Sequence, residues 1–198
     1  MKVEHALPQR YLITPEPPAW PGSAQTAFLD RLARAIDQGV GLVQLRAKTL
    51  PAQALAPLAE AVQQRCRDGG VRLLLNDAVE LAQAGLADGV HLSGQSLNVL
   101  TRRPLPATQT VCAACHDAVQ LQQALALGVD CVTLSPVLPT ATHPDAPALG
   151  WARFAALVSG FALPVYALGG LGPGALEGAR AHGAHGIAAI RAFWPDTD

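Results

Sequence analysis

Short apolar runs typical of β-strands alternate with helical patterns along the chain, at a spacing of roughly 20 to 25 residues. Parallel strands need crossover connections, which the helices between the runs can supply, so the alternation predicts a parallel sheet. Eight such units predict an α/β fold, a single compact (β/α)8 TIM barrel over residues 1–198, with a doubly wound open sheet as the competing topology. The predicted strands are Tyr11–Thr14, Gly41–Arg46, Val71–Asn76, Gly89–Leu92, Thr110–Ala114, Cys131–Ser135, Pro164–Gly169 and Gly186–Ile190.

Apolar residues at helical spacing predict helices between these strands. Gly39, Gly128 and Gly183 each follow such a pattern, as glycines at helix C-termini do. Few residues follow Ile190, so the eighth helix is expected to be vestigial. The clearest helical patterns are Gln25–Gln38, Pro51–Asp68, Ala78–Ala84 and Ala118–Leu127.

Composition narrows the class of protein further. Half of the 198 residues are hydrophobic and 15% are charged, which excludes an intrinsically disordered chain and favours one aliphatic core. We find no uncharged apolar run long enough to cross a membrane, and a net charge of −1 provides no general attraction for nucleic acid. The N-terminal segment lacks the apolar core of a secretory signal, so we expect a cytoplasmic protein whose four cysteines are thiols.

One short motif, Cys112-x-x-Cys115-His116, matches the attachment pattern of c-type haem. Haem attachment requires export to an oxidising compartment, for which the sequence gives no signal. The two cysteines lie three residues apart in a predicted strand, where their side chains point to opposite faces. They could not serve one haem or one zinc ion, and we expect two small buried residues instead.

Polar and glycine residues gather where the predicted strands end. In a barrel or an open parallel sheet, ligands bind at this edge. Glycines allow backbone N–H groups to approach phosphate oxygens, and an arginine can bind phosphate through two donors at once. The pattern therefore predicts a phosphate site. Its members are Arg46, Lys48, Asn76, Asp77, His116, Thr140, Thr142, His143, Gly169, Gly170 and Arg191.

His116 is the candidate acid–base residue. It follows the fifth strand and shares the parity of Cys112 and Ala114, so it faces the barrel mouth if those residues line the interior. The alternative is a cap on the next helix, for which Asp117 is the better residue type. His91 lies in the middle of a strand and is expected to be a core residue.

Eight segments in this order resemble the strand-end motifs of the thiamine phosphate synthase/TenI superfamily of (β/α)8 barrels. The segments LSPVLPTATHP…LGW and GIAAIRAFW most resemble those of TenI-like domains found C-terminal to some Nudix hydrolases. The Nudix helix motif does not occur, so pyrophosphohydrolase activity is not expected of this chain. The sequence leaves open whether the chain stands alone or derives from a longer fusion. The segments are YLITPEP, VQLRAK, LLLNDAVELA, ADGVHLSGQ, CHDAVQLQQA, LSPVLPTATH, VYALGGL and GAHGIAAI.

The resemblance implies roles for individual residues. In the synthase reaction a hydroxymethylpyrimidine loses pyrophosphate, and the nitrogen of a thiazole phosphate captures the resulting cation. Arg46 and Lys48 match the pyrophosphate-binding pair, while Asn76 and Asp77 match a pyrophosphate contact and a magnesium ligand. The matches to the thiazole phosphate site are Thr140, Thr142, Gly170 and Ile190.

Departures from the family pattern reduce the expected synthase activity. The second magnesium carboxylate is replaced by Ser96, and the lysine after the Thr-x-Thr loop by His143. A serine beside the phosphate site becomes Arg191, and the serine of the fifth strand falls at Ala114. A magnesium ion held by one carboxylate should bind pyrophosphate less firmly than one held by two.

Three functions remain open from the sequence. Tautomerase-like proton transfer on a thiazole phosphate is favoured, because it needs His116 and a phosphate anchor but no metal cofactor. The first alternative is a thiamine phosphate synthase that uses Mg²⁺ at a weakened site. The second is a non-catalytic domain that binds phosphorylated thiazole or pyrimidine ligands. A homo-oligomer and an attached Nudix domain are left open as partners.

Overall fold

The computed structural model describes residues 7–140 and 147–196. Its eight parallel strands form one closed barrel in chain order, with β1 paired to both β2 and β8. This confirms the predicted (β/α)8 fold and excludes the open sheet. The strands are β1 (Arg10–Ile13), β2 (Leu42–Leu45), β3 (Arg72–Asn76), β4 (Gly89–Leu92), β5 (Thr110–Cys115), β6 (Cys131–Leu134), β7 (Val165–Leu168) and β8 (Gly186–Ala189).

Helices pack outside the barrel between successive strands. They are α1 (Gln25–Asp37), α2 (Ala52–Asp68), α3 (Val79–Gln83), α4 (Gly94–Val99), α5 (Ala118–Leu127), α6 (Gly150–Val158) and α7 (Leu176–Ala181). After β8 the described chain has only a 3-10 helix, Arg191–Phe193, which confirms the vestigial last helix. No described helix combines the length and the apolar character that a membrane span needs.

The helices α4 and α6 were not among the clear sequence patterns. Helix α4 has six residues and buries only Leu97, so it shows no repeating apolar face. It begins because the Ser93 side chain accepts a hydrogen bond from the backbone N–H of Ser96. Helix α6 follows the irregular proline-rich segment that ends at Pro147, which obscured its start.

Alternating residues of each strand fill the barrel interior in layers, as in other barrels of this type. The strand register assigns each layer to alternate strands. The lowest of three successive layers contains Tyr11, Leu74, Cys112 and Tyr166. The layer above contains Gln44, His91, Thr133 and Ala188, and the next contains Ile13, Asn76, Ala114 and Leu168. Three of the four residues of the middle layer are therefore polar.

The two cysteines of the haem-like motif lie on opposite faces of β5. Cys112 packs in the barrel interior, whereas Cys115 packs in the outer core between the sheet and the helices. Both thiols are free and buried, and burial raises the pKa of Cys115 to about 12. Their separation confirms that they act as buried hydrophobic residues. No cluster of three or more His, Cys, Asp or Glu suited to a metal occurs among the described residues.

Candidate active site at the carboxyl end of the barrel

A cavity of about 930 Å³ opens at the carboxyl ends of the strands. The middle layer of the barrel interior forms its floor, with Gln44, His91 and Thr133 facing upward from β2, β4 and β6. The loops that follow the strands form its walls. Among the predicted site residues, those that line the cavity are Arg46, Lys48, Asn76, His116, Thr140, Gly169, Gly170, Ile190 and Arg191. Thr142 and His143 lie outside the described residues.

Arg46 and Lys48 place two positive charges on the β2 side of the cavity. The backbone N–H of Arg46 donates to Thr14 Oγ1 at 3.0 Å, and the N–H of Thr14 donates to the Gln44 carbonyl at 2.9 Å. The β1 extension therefore holds the start of the β2 loop against the barrel. This wall can bind an anion such as a phosphate or a pyrophosphate.

Asn76 is the last residue of β3 and Asp77 follows it, and both are held by contacts with neighbouring strands. The Asn76 carboxamide oxygen accepts a hydrogen bond from Gln44 Nε2 at 3.0 Å, and its amide nitrogen donates to Asp77 Oδ2 at 3.1 Å. Asp77 Oδ1 accepts the Ser93 N–H at 2.8 Å. Asp77 has a positive φ of 55°, which is uncommon for a residue other than glycine. It lies behind Asn76, and it is not among the described residues that line the cavity.

Ser96 takes part in the N-terminal cap of α4. Its N–H donates to Ser93 Oγ, and the two hydroxyl oxygens are 3.2 Å apart. The hydroxyl thus contacts the first turn of α4 and carries no charge. Asp77 is the carboxylate that remains in this part of the site.

His116 lies at the mouth of the cavity with an exposed side chain. Its Nδ1 is 2.9 Å from the Ser135 carbonyl oxygen and 3.2 Å from Ser135 Oγ. Because a carbonyl oxygen only accepts hydrogen bonds, Nδ1 carries the proton in the neutral ring, and Nε2 retains its lone pair. Asp117, not His116, caps α5 by accepting the Gln120 N–H at 2.9 Å. An imidazole in this state can act as a base.

Gly169 and Gly170 follow β7 in the left-handed region, with φ values of 106° and 66°. A Cβ on Gly169 would lie 2.9 Å from the Cα of Pro136, and one on Gly170 would lie 2.7 Å from the carbonyl oxygen of Pro139. The loop after β6 therefore passes directly over both glycines. It brings Thr140 to the same wall as Ile190 and Arg191, which follow β8.

The polar floor was missed by the sequence analysis. His91 is buried, and its Nδ1 is 2.9 Å from the Tyr11 hydroxyl. Burial lowers the pKa of His91 to about 4, with Lys48 acting in the same direction and Asp77 in the opposite one. Residues two positions apart on a strand point to the same face. Gln44 lies two positions before Arg46, and His91 two before Ser93, so this spacing could have identified the floor residues.

The fold and the cavity define a (β/α)8 barrel with a pocket at the carboxyl ends of its strands that is lined by basic residues and glycines. Comparison with known proteins identifies the family. The model of the thiamine monophosphate synthase family matches residues 10–193, and the chain belongs to this family.

Curated relatives named thiamine-phosphate synthase match this chain over most of their length. The chain is 38% identical over 189 residues to the thiamine-phosphate synthase of Thermus thermophilus, covering 94% of this chain and 89% of the relative. It is 34% identical over 165 residues to the thiamine-phosphate synthase of Laribacter hongkongensis, covering 83% and 78%. A thiamine phosphate pyrophosphorylase from Pyrococcus furiosus shares the fold, with a TM-score of 0.72, 22% identity and coverage of 92% and 85%.

Proposed function

We propose that this chain is a pyrophosphate-displacing transferase that forms thiamine phosphate from a pyrimidine pyrophosphate and a thiazole phosphate. The observation that carries the proposal is that one cavity has two separate walls suited to anions. Arg46 and Lys48 follow β2, which lies directly across the barrel from β6 and its Thr140 loop. A substrate with a single phosphate would need only one of these walls. The names of the relatives favour the same reaction over the tautomerase that the sequence analysis preferred.

The proposal gives each substrate one wall of the cavity. Arg46 and Lys48 hold the pyrophosphate, and Arg46 can use two parallel donors. The thiazole phosphate would bind at the loops that follow β6, β7 and β8, where Thr140, Gly170 and Arg191 line the cavity. The bond between the pyrimidine methylene carbon and the pyrophosphate oxygen breaks, and the electron pair leaves with the pyrophosphate. The thiazole nitrogen then forms the new carbon–nitrogen bond. Positive charge beside the leaving group favours the first of these steps.

Magnesium is implied by the family resemblance, and the donor set fits it in a limited way. Each Asp77 carboxylate oxygen accepts one hydrogen bond and keeps a lone pair, whereas Ser96 offers no charge. Mg²⁺ is commonly held by one or two carboxylates together with substrate phosphates and water. Asp77 does not line the cavity, so its carboxylate would have to turn away from Asn76 to share an ion with the pyrophosphate. When bound, the ion would neutralise negative charge on the leaving group.

Tautomerisation is a second candidate because of one observation. His116 directs a free Nε2 lone pair to the cavity mouth while Ser135 fixes the ring through Nδ1. This nitrogen could take a proton from a thiazole carboxylate phosphate and return it to another ring position, which makes the ring aromatic. The thiazole phosphate wall would anchor the substrate in either reaction.

The experiment supplies both substrates with Mg²⁺ and measures thiamine phosphate, and a parallel assay follows aromatisation of a thiazole carboxylate phosphate by ultraviolet absorbance. Arg46→Ala should reduce kcat/KM for the transfer by about 10²-fold and leave tautomerisation unchanged. His116→Asn should reduce tautomerisation by about 10²- to 10⁴-fold. Arg102→Ala, at an exposed arginine, is the control for loss of a positive charge. Binding of both ligands without product in either assay would replace the proposal with the non-catalytic binding domain.

A further inference from the structure

Glu16 lies outside the cavity but contacts the segment that carries its two basic residues. Its Oε1 accepts hydrogen bonds from the Thr49 N–H at 2.6 Å and from the Thr49 hydroxyl at 2.8 Å. Its Oε2 is 3.6 Å from Arg46 Nη1. One carboxylate from the β1 loop thus holds both ends of the segment from Arg46 to Thr49.

This carboxylate is charged and held in place near neutral pH. Burial alone would raise the pKa of Glu16, but hydrogen bonds from Thr49 and from the Lys48 backbone, together with the charge of Arg46, hold it below its usual value. Pro15 and Pro17 flank Glu16, and their fixed φ angles restrict the backbone on both sides. The position of the carboxylate is therefore set by the fold.

The Arg46 side chain is anchored from outside the cavity and is free to bind from inside it. Its side chain is 26% exposed, it lines the cavity, and its guanidinium has five N–H donors. The contact with Glu16 engages Nη1, which leaves the other donors for a ligand. An arginine without this contact would lose rotamer freedom on binding, at a cost that weakens the affinity.

We propose that Glu16 is a positioning residue for pyrophosphate, which fixes the Arg46 guanidinium so that its free donors face the cavity. This inference rests on the proposed pyrophosphate wall and adds a residue that does not touch the substrate. The inference predicts the direction in which the affinity for pyrophosphate changes when Glu16 is removed. Glu16 is a negative charge near an anion site, so a purely electrostatic effect would make its removal strengthen binding, whereas a positioning effect makes its removal weaken binding.

The test is a double-mutant cycle with inorganic pyrophosphate as the probe, measured by titration calorimetry on the folded chain. Glu16→Gln keeps an oxygen for Thr49 but loses the charge that holds Arg46. It should raise the Kd for pyrophosphate about three- to tenfold. In an Arg46→Ala background the same change should have no further effect. Glu60→Gln, at an exposed carboxylate of α2, should leave Kd unchanged. In the transfer assay, Glu16→Gln should raise KM for the pyrimidine pyrophosphate and not KM for the thiazole phosphate.

The outcomes separate the inference from the proposed function. If Arg46→Ala weakens pyrophosphate binding but Glu16→Gln leaves it unchanged or strengthens it, only the positioning role is overturned. An equal loss in both backgrounds would also overturn it, since Glu16 would then act through the Thr49 loop and not through Arg46. If the unsubstituted chain does not bind pyrophosphate, or if Arg46→Ala has no effect, the proposed pyrophosphate wall fails and the inference fails with it.

Discussion

Replacing Gly170 by alanine should destabilise the protein and damage the thiazole phosphate wall. The φ of 66° costs about 1–2 kcal/mol for a residue with a Cβ. The new Cβ would also lie 2.7 Å from the Pro139 carbonyl oxygen and 2.8 Å from the Leu138 Cβ, both too close for normal contacts. One of these is a backbone atom, so the loop itself must move, at about 1–3 kcal/mol. We expect a total loss of about 2–5 kcal/mol.

For a chain of this size, such a loss corresponds to a fall in Tm of roughly 4–20 °C. The loop that moves carries Thr140, so the affinity for thiazole phosphate should fall as well. Thermal unfolding followed by circular dichroism measures the first effect, and calorimetry with thiazole phosphate measures the second. Gly178→Ala is the matched control, because Gly178 lies within α7 with open space around it and should gain about 0.5–1 kcal/mol. A Gly170→Ala protein as stable as the original would refute the steric reasoning, and lower stability with unchanged affinity would restrict Gly170 to a packing role.

Three further predictions concern other parts of the molecule. Ser96→Asp should raise Mg²⁺-dependent thiamine phosphate formation, because a second carboxylate strengthens metal binding; unchanged rates at every Mg²⁺ concentration would contradict this. The pKa of His91 is about 4 in the folded chain and about 6.5 in the unfolded chain, so the unfolded chain binds the proton first as pH falls. The free energy of unfolding should therefore fall by about 3 kcal/mol between pH 6.5 and pH 4. Urea unfolding of His91→Gln should lack this pH-dependent component. The Arg103 side chain donates to the Gln109 carbonyl at 2.7 Å and to the Asp130 carboxylate at 2.6 Å. Arg103→Ala should therefore lower the free energy of unfolding, measured in urea, by about 2–3 kcal/mol. The control Arg102→Ala, at an exposed arginine, should leave it almost unchanged.

The fold was predictable because strand and helix patterns alternate with little interruption. Strand β4 was predicted with its observed bounds, and the other strands differ from their predictions by no more than one residue at either end, where hydrogen bonding to neighbours decides the boundary. Helix α4 was not predictable in the same way. Its existence depends on the Ser93 cap and on the burial of Leu97 against neighbours, and no repeating pattern encodes either of them.

The rim of the site was predictable and its floor was not. Arg46, Asn76 and Gly170 follow strands directly, and the carboxyl ends of parallel strands necessarily meet at one edge. His91 was interpreted as a core residue, and it is indeed buried, but it also faces the cavity. That second property depends on how many layers of side chains fill the barrel below it. The register of all eight strands determines this number, and no single segment contains that information.

The family resemblance implies a carboxylate at the position of Ser96, and the charges around the cavity predict what such a carboxylate would do. Among the described residues, Arg46, Lys48 and Arg191 line the cavity, whereas Glu16 and Asp77 lie outside its lining, so the cavity wall carries a net positive charge. A carboxylate in place of Ser96 would reduce that positive charge near an anionic substrate, and a bound cation would have to offset it. With serine there, Arg46 and Lys48 can attract pyrophosphate without that cation. Ser96→Asp should therefore have two opposite effects, weaker pyrophosphate binding without Mg²⁺ and faster transfer when Mg²⁺ is saturating.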